Sequence, residues 1–280
     1  MVSEVLLRQV NSIKLWIKMN TPWISDEFRY GASEQEHYER QGYCLFRQFL
    51  SPSGLLRGQT EIGRMLKSLQ PGRQPDEIFS AHQQEPWIFE LATQPALLDM
   101  IERQVGPNVV LWSSHLICKS PRTGREIPWH QDAPYWNVSG KLAGAIWIAF
   151  DDIAQDNGGM SVLPGWHDQG ALKVRNRGQE FFSEEIDPAV LPPNPDQLKV
   201  QYTLPAGGAA THHVMIPHNS IPNLSDRWRR VLVLRYMAAD GVMGAKEYPD
   251  YRSGEKFPRK FFLVRGEDVL KRGLATGLSD

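Results

Sequence analysis

The stretch from Trp129 to Trp136, WHQDAPYW, places a histidine, a carboxylate and three large aromatic side chains within eight residues. In an extended strand, side chains two positions apart project from the same face, so we expect His130 and Asp132 to point in one direction together. A neutral imidazole and a carboxylate are both ligands of divalent metal ions. Because His-X-Asp also arises by chance, as a histidine oriented by an aspartate, the pair predicts a metal site only together with a third ligand.

Three later histidines are candidates for that third ligand: His212, His213 and His218. His218 follows His130 by 88 residues, next to a predicted strand. Two histidines and one carboxylate that leave other metal positions open form the facial arrangement of non-haem Fe(II) oxygenases. Catalytic zinc sites use the same ligand types. The pattern therefore predicts a metal site and leaves an iron oxygenase and a zinc hydrolase open.

An arginine cluster, SDRWRR, follows the histidines and contains Arg227, Arg229 and Arg230. A guanidinium binds a carboxylate through two parallel hydrogen bonds, so an arginine near a metal suits the far carboxylate of a diacid. On a strand, Arg227 and Arg229 share one face and Arg230 takes the other. An exposed charge at the edge of a strand would account for two of the three arginines, and the remaining one could bind such a carboxylate.

The elements that must position these residues change character along the chain. Helical patterns run from about Ser33 to Gly42, through SPSGLLRGQTEIGRMLKSLQPG, and through QPALLDMIERQVG. From residue 108 onward, short β-rich segments alternate with turn sequences such as DNGG and PAGG. No helix-length pattern separates them, which disfavours a parallel doubly wound sheet. We predict an α+β protein with a double-stranded β-helix core, of the jelly-roll or cupin-like kind, and N-terminal helices packed outside it.

The domain organisation predicted for this chain is a single domain over residues 1–280, because neither a linker nor an internal repeat is visible. Within it, residues 1–32 are predicted to form an N-terminal extension. The Pro-rich segment 176–197 is too long for a simple connection between strands, and segments of this kind often act as lids over binding sites. We expect a lid loop there.

Composition and charge narrow the class of protein. The 280 residues are 41% hydrophobic and 22% charged with a net charge of −1, which is ordinary for a globular protein and disfavours nucleic acid as a partner. The longest apolar run, nine residues from Leu142 to Phe150, is far below the ~20 needed to span a bilayer, so no membrane association is expected. Cys44 and Cys118 show neither disulfide nor metal-ligand spacing, and the N-terminus has no secretory h-region. These features predict a cytoplasmic protein.

Three motifs in order, HQDAPYW, NGGMSVLPGWH and HNSIPNLSDRWRR, resemble the phytanoyl-CoA dioxygenase family of Fe(II)- and 2-oxoglutarate-dependent oxygenases. The resemblance covers most of the chain from about residue 33. It implies three catalytic iron ligands: His130, Asp132 and His218. It also implies that Arg229 and Ser220 contact the C5 carboxylate of 2-oxoglutarate, and that Trp147 lines the cosubstrate site.

The chemistry implied by this resemblance consumes O₂ and 2-oxoglutarate, yields succinate and CO₂, and oxidises a substrate. Hydroxylation of a C–H bond in a small polar metabolite or natural-product intermediate is the expected outcome, with desaturation, cyclisation or bond cleavage as variants. Halogenating relatives have Ala or Gly at the position of Asp132, so halogenation is disfavoured. Four further side chains are predicted to bind the substrate: Tyr135, Trp136, Lys119 and Arg235. A zinc hydrolase using the same ligands and a non-catalytic jelly-roll binding protein are the alternatives.

Overall fold

The computed structural model describes residues 22–136, 138–179 and 181–279. Most of the predicted N-terminal extension, residues 1–21, lies outside these ranges. Its described part, from residue 22, packs against the body, because the side chains of Trp23 and Ile24 are buried and Ile24 forms an antiparallel bridge with Leu50.

The helices lie mainly in the first third of the described chain. Helices α1 to α5 span Ala32–Gln41, Pro52–Lys67, Pro86–Ala92, Pro95–Val105 and Pro195–Leu198. Gly42 ends α1 with φ of 79°, a left-handed conformation that glycine adopts without strain. Ser51 caps α2 by accepting a hydrogen bond from the Gly54 N–H at 2.9 Å, and Pro52 occupies the first turn. The three helices predicted from the sequence are confirmed, although α2 ends at Lys67, before the QPG sequence at which the prediction ended it.

Seventeen strands follow one another along the described residues. Strands β1 to β9 span Tyr43–Phe46, Ile78–Phe79, Val109–Leu116, Ile127–His130, Val138–Ser139, Ala145–Ala149, Met160–Val162, Val174–Asn176 and Glu184–Ile186. Strands β10 to β17 span Val200–Gln201, Ala209–His212, His218–Ser220, Val231–Ala238, Val242–Met243, Glu247–Pro249, Lys256–Pro258 and Phe262–Arg265.

Two antiparallel sheets form the body of the protein. The larger has the strand order β1-β11-β6-β13-β3-β17, with β2 paired to β3, and the smaller has the order β10-β7-β12-β4. Side chains from both sheets, among them Trp147, Val162 and Val233, form one apolar cluster between the layers. The prediction of an antiparallel α+β protein is therefore confirmed.

The alternating directions of the side chains along β6 explain how the helices and the two sheets pack together. Trp147 faces the interior between the two sheets, whereas Ile146 and Ile148 pack in the cluster that includes Ile62 of α2 and Leu97 of α4. Because successive side chains of a strand point to opposite faces, this central strand is apolar on both sides. The helices thus cover the outer face of the larger sheet and leave the opening between the sheets free for a site.

The segment 176–197 is more ordered in its backbone than the sequence predicts. Its first half forms the hairpin of β8 and β9, in which Val174 pairs with Ile186, and a 3₁₀ turn and α5 follow. The tip of this hairpin carries Phe181 and Phe182. The lid function of the segment stays a prediction.

Two smaller expectations concern the membrane and the cysteines. No helix in the described ranges combines the length and the hydropathy needed to cross a lipid bilayer. Cys44 and Cys118 are both buried free thiols, as predicted.

Candidate active site

The register between β4 and β12 brings two of the predicted ligands together. His218 lies directly opposite His130 in this antiparallel pair, and the centroids of the two imidazole rings are 4.0 Å apart. Both side chains are buried. Residues opposite each other in a pair of strands project from the same face, so the 88-residue separation in sequence becomes a direct contact.

The side chain of Asp132 lies beside the two histidines, but its backbone conformation differs from the one that the sequence predicts. Strand β4 ends at His130, and the backbone of Asp132 is already helical, with φ of −74° and ψ of −50°. The backbone N–H groups of Asp132 and Ala133 both donate to the carbonyl of Val214, at 3.0 and 2.9 Å, which fixes this bend. The Oδ1 atom of Asp132 lies 4.0 Å from Nε2 of His130. The expectation of a continuous strand through Asp132 was wrong, but the carboxylate and the imidazole still converge.

These three side chains suit a divalent metal ion. One ligand atom from each of His130, Asp132 and His218 lies within 4.8 Å of the others. Nδ1 of His130 is 2.8 Å from the carbonyl of Pro128, and Nδ1 of His218 is 3.0 Å from the carbonyl of Ile216. Because a carbonyl only accepts, each Nδ1 carries the proton and each Nε2 keeps its lone pair for a metal.

The protonation states also fit metal binding. Burial lowers the pKa of His130 to about 3, with a further contribution from His218, and burial likewise lowers the pKa of His218. Burial alone would raise the pKa of Asp132, but Arg235 and His218 beside it lower that pKa well below its usual range. Neutral imidazoles and an ionised carboxylate are the forms that bind a metal ion.

A cavity of about 70 Å³ opens at this cluster, and Arg229 forms part of its wall. The guanidinium of Arg229 is buried and donates to two carbonyls, from Nε to Gly158 at 3.2 Å and from Nη1 to Ile117 at 3.1 Å. It forms no ion pair with a carboxylate of the described residues. Burial lowers the pKa of Arg229 to about 10. A buried cation with N–H groups to spare needs an anion, and a carboxylate entering the cavity supplies one.

Ser220 and Trp147 line the same cavity. The guanidinium carbon of Arg229 lies 5.6 Å from the ring centroid of Trp147, so the indole forms a wall beside the cation. Lys119 stands behind Ser220, to which its Nζ donates at 2.8 Å at Oγ and 3.2 Å at the carbonyl. Since the lysine occupies a lone pair of the Ser220 oxygen, the hydroxyl hydrogen is left to point elsewhere, which suits donation to a carboxylate.

The other predicted substrate residues lie at different depths. Arg235 lines the metal cavity, and its Nη2 donates to Oδ2 of Asp132 at 3.4 Å. Trp136 and Tyr135 lie farther out, at an outer opening that also includes Glu184. Lys119 is buried behind Ser220 and is absent from the cavity lining. Arg235, Tyr135 and Trp136 therefore line open space at or near the metal cluster, whereas Lys119 lies behind Ser220.

Two further residues near the metal ligands, His115 and Phe182, were not predicted from the sequence, and His212, a candidate third ligand, takes a different place. His115 lines the cavity and its Nε2 lies 2.8 Å from the carbonyl of Asp76, while Phe182 packs edge-on against His130 with ring centroids 4.9 Å apart. His212 lies in the wall, its ring 4.9 Å from that of His218, and is not part of the three-ligand cluster. No sequence pattern marks Phe182, since it stands in the segment that separates two three-residue strands.

Comparisons with known proteins agree with this geometry. The model of the phytanoyl-CoA dioxygenase (PhyH) family matches residues 38–231. A "Probable alpha-ketoglutarate-dependent hypophosphite dioxygenase" of Stutzerimonas stutzeri is 30% identical over 252 residues, which cover 79% of this chain and 84% of that protein. The peroxisomal phytanoyl-CoA dioxygenase of Rattus norvegicus is 24% identical over 270 residues, covering 85% and 80%.

Solved structures point the same way. The structure described as "non-heme monooxygenase; ThoJ apo" superimposes with a TM-score of 0.68 at 25% identity, covering 83% of this chain and 84% of that one. The fold and the three-ligand site define a non-haem oxygenase. The family match over most of the chain and the 30% identical relative establish that this chain belongs to the phytanoyl-CoA dioxygenase family.

Family membership decides between the alternatives that the sequence left open. The protein is an enzyme, a dioxygenase that depends on iron and 2-oxoglutarate, rather than a zinc hydrolase or a non-catalytic binding module.

Proposed function

We propose that the protein hydroxylates a C–H bond of a small polar metabolite or natural-product intermediate, with 2-oxoglutarate and O₂ as cosubstrates and succinate and CO₂ as co-products. The observation that carries this proposal is the pairing, in one cavity, of the metal-binding cluster with the buried, unpaired guanidinium of Arg229. A zinc hydrolase would leave that cation without a function. A double-stranded β-helix formed by the two sheets is the architecture we propose for the core.

In this proposal His130, Asp132 and His218 would hold the iron and leave its remaining positions to the cosubstrates. Bound iron would let O₂ act as the oxidant for removal of a substrate hydrogen, with 2-oxoglutarate supplying two electrons as it is converted to succinate and CO₂. Arg229 and Ser220 bind the C5 carboxylate, and Trp147 restricts the cosubstrate to one orientation. Asp132 occupies the position that a halide would need, which supports hydroxylation.

The hairpin of β8 and β9 is proposed to act as the lid. Phe182 at its tip lines the metal cavity and also the outer opening. The hairpin is anchored by the ion pair from Nη2 of Arg177 to Oε2 of Glu126, at 2.9 Å. A lid in this place would keep bulk water from the metal during oxidation.

The test is succinate formation by the purified enzyme supplied with Fe(II), 2-oxoglutarate and air, first alone and then with a panel of small polar compounds. We expect slow succinate formation without substrate, and a faster rate with a true substrate together with a product one oxygen atom heavier. Labelled O₂ identifies the source of that atom. The Asp132→Ala variant should form no succinate, Arg229→Gln should form much less than the wild type at the same 2-oxoglutarate concentration, and Arg230→Gln serves as the matched control.

Two outcomes would overturn the proposal. A wild-type enzyme that binds Fe(II) and 2-oxoglutarate but never releases succinate is not an oxygenase of this kind. A product that gains no oxygen from O₂ would replace hydroxylation by another oxidation.

A further inference from the structure

A second cavity, of about 200 Å³, adjoins the metal cavity. The two share part of their lining, including His115, Ile127, Phe182 and Arg235. Because Arg235 also donates to Asp132, anything bound in this second cavity lies next to the metal ligands. We name it the outer chamber.

The outer chamber carries an excess of positive charge. Three cationic side chains line it: Arg235, Lys246 and Arg259. The carboxylate in its lining is that of Asp76, and this group already accepts hydrogen bonds from Nε and Nη2 of Arg125, the first at 3.0 Å. Arg235 forms an ion pair with Asp132 at 3.4 Å. Lys246 and Arg259 are therefore the two cations of this lining that have no carboxylate partner among the described residues.

Arg259 is held in place without being neutralised. Its Nη2 and Nε lie 2.7 and 3.2 Å from the hydroxyl of Tyr248, and its Nη1 donates to the carbonyl of Gly244 at 3.2 Å. Lys246 lies over the ring of the same tyrosine, with Nζ 5.4 Å from the centroid. Neither Arg259 nor Lys246 forms an ion pair with any carboxylate of the described residues. Both are oriented by neutral groups, which leaves their charge for a ligand.

Arg235, at the inner end of the outer chamber, has an N–H group that is free to bind a ligand. Its Nε is buried and has no hydrogen-bond partner among the described residues. Its guanidinium carbon lies 5.0 Å from the ring centroid of Trp136. A guanidinium held against an aromatic face presents its remaining N–H groups edge-on, where a polar group of a bound molecule can reach them.

Aromatic side chains form the remaining walls. Trp112 and Trp136 pack edge to face with ring centroids 4.8 Å apart, and Phe79 and Phe181 complete the lining. An aromatic lining of this kind favours a flat or apolar carbon skeleton. Cations and aromatic walls together describe a ligand that is acidic at one end and apolar in its body.

We propose that the substrate is an organic anion with an aromatic or other apolar body, whose acidic group binds Arg259 and Lys246. Its body lies against the aromatic lining formed with Trp112 and Trp136 and passes Arg235, so that the bond to be oxidised faces the metal ligands. This inference rests on the proposed function, because it assigns the substrate class of the same site. It disfavours cationic substrates, because Lys246 and Arg259, which form no ion pair among the described residues, would repel them.

The experiment compares two probes of nearly equal shape, 2-naphthoate and 2-naphthamide, by isothermal titration calorimetry with the metal-free protein. We expect the anion to bind at least about tenfold more tightly than the neutral amide, the factor equivalent to one hydrogen bond between charged groups. Arg259→Gln should remove most of this preference and leave binding of 2-naphthamide unchanged. Lys246→Met should also reduce the preference for the anion, and because Lys246 is exposed, this substitution leaves the fold unperturbed.

Controls separate this site from the cosubstrate site and from the proposed function. Arg122→Gln, which changes a surface arginine paired with Asp226, should have no effect. Equal binding of the two probes, or binding of neither, would overturn the inference. Loss of the preference in Arg229→Gln but not in Arg259→Gln would also overturn it, because the anion would then occupy the cosubstrate end. Since no metal or turnover is involved, failure here is distinguishable from failure of the oxygenase proposal.

Discussion

Replacing Arg229 by glutamine tests whether this arginine stabilises the fold or binds a ligand. Its hydrogen bonds to Gly158 and Ile117 use two of its five N–H groups, so three are available to a carboxylate. Truncating one partner of a buried, hydrogen-bonded charge pair weakens binding by about 2–5 kcal/mol. For Arg229→Gln we therefore expect 2-oxoglutarate to bind between about 30-fold and about 5,000-fold more weakly.

The stability of the metal-free protein should respond differently. In the absence of a ligand, the Arg229 guanidinium is a buried charge without a counter-ion, and such a charge destabilises the folded state. Its removal should lower the free energy of unfolding by no more than about 1 kcal/mol, the contribution of the hydrogen bonds it makes. A ligand-binding arginine thus predicts a large loss of affinity with a small loss of stability.

The neighbouring arginine provides the matched control. Arg230 binds Asp151 through two hydrogen bonds, at 2.9 Å from Nε and 2.6 Å from Nη2. Arg230→Gln should therefore lower the free energy of unfolding by about 1–3 kcal/mol and leave 2-oxoglutarate affinity unchanged. The assays are chemical denaturation of the metal-free proteins and calorimetric titration of 2-oxoglutarate into the proteins loaded with Mn(II). If Arg229→Gln destabilises the fold as much as Arg230→Gln and still binds 2-oxoglutarate normally, the assignment of Arg229 is wrong.

Three further predictions test the buried lysine behind Ser220, the proposed lid at Phe182 and the packing of helix α2. Burial lowers the pKa of Lys119 to about 6. Between about pH 6 and pH 10 the unfolded chain therefore binds one more proton than the folded one. The free energy of unfolding should rise with pH over this range by up to about 1.4 kcal/mol per pH unit. Lys119→Met should flatten that rise in denaturation curves of the metal-free protein, and an unchanged slope would show that another group causes it. Phe182→Ala should open the metal cavity to water and increase substrate-independent succinate formation severalfold, whereas an unchanged rate would exclude a lid at this residue. Gly58→Ala should lower the free energy of unfolding by about 1–3 kcal/mol, because the added Cβ would lie 2.1 Å from Cε1 of Phe150. A Cβ at Gly63, on the same helix, meets no atom within 4 Å, so Gly63→Ala should raise the free energy of unfolding by up to about 1 kcal/mol. The same sign for both glycine variants would contradict this packing.

Local signals in the sequence were sufficient for three of the five described helices and for the ligand types of the site. Ser51 with Pro52 and the glycine at position 42 mark helix ends through their own backbone chemistry, so those boundaries do not depend on tertiary structure. The ligand types His130, Asp132 and His218 could be read as a metal set because each of them carries a donor atom whatever its context. Their convergence depends on the β4–β12 register, which the sequence does not encode locally.

Residues whose role depends on tertiary placement could not be assigned in the same way. Lys119 precedes the ligand strand and was predicted to bind substrate, but the antiparallel bridge to Arg229 turns its side chain toward Ser220. Lys246 and Arg259 lie in the C-terminal part beside two-residue and three-residue strands, where no periodicity distinguishes a lining cation from a solvated one. The hairpin in segment 176–197 was missed for the same reason, since its strands are three residues long and mostly charged or polar.

The central claim is that His130, Asp132 and His218 bind Fe(II) in a form that also binds 2-oxoglutarate. Anaerobic titration of the purified protein with Fe(II) and then 2-oxoglutarate tests it, by following the visible charge-transfer absorption of the iron–2-oxoglutarate chelate. We expect this absorption to develop in the wild type at one iron per chain, to be absent in His218→Ala, and to be shifted to much higher 2-oxoglutarate concentration in Arg229→Gln. Absence of the band in a folded wild-type protein, or a band of undiminished intensity in His218→Ala, would contradict this assignment of the ligands.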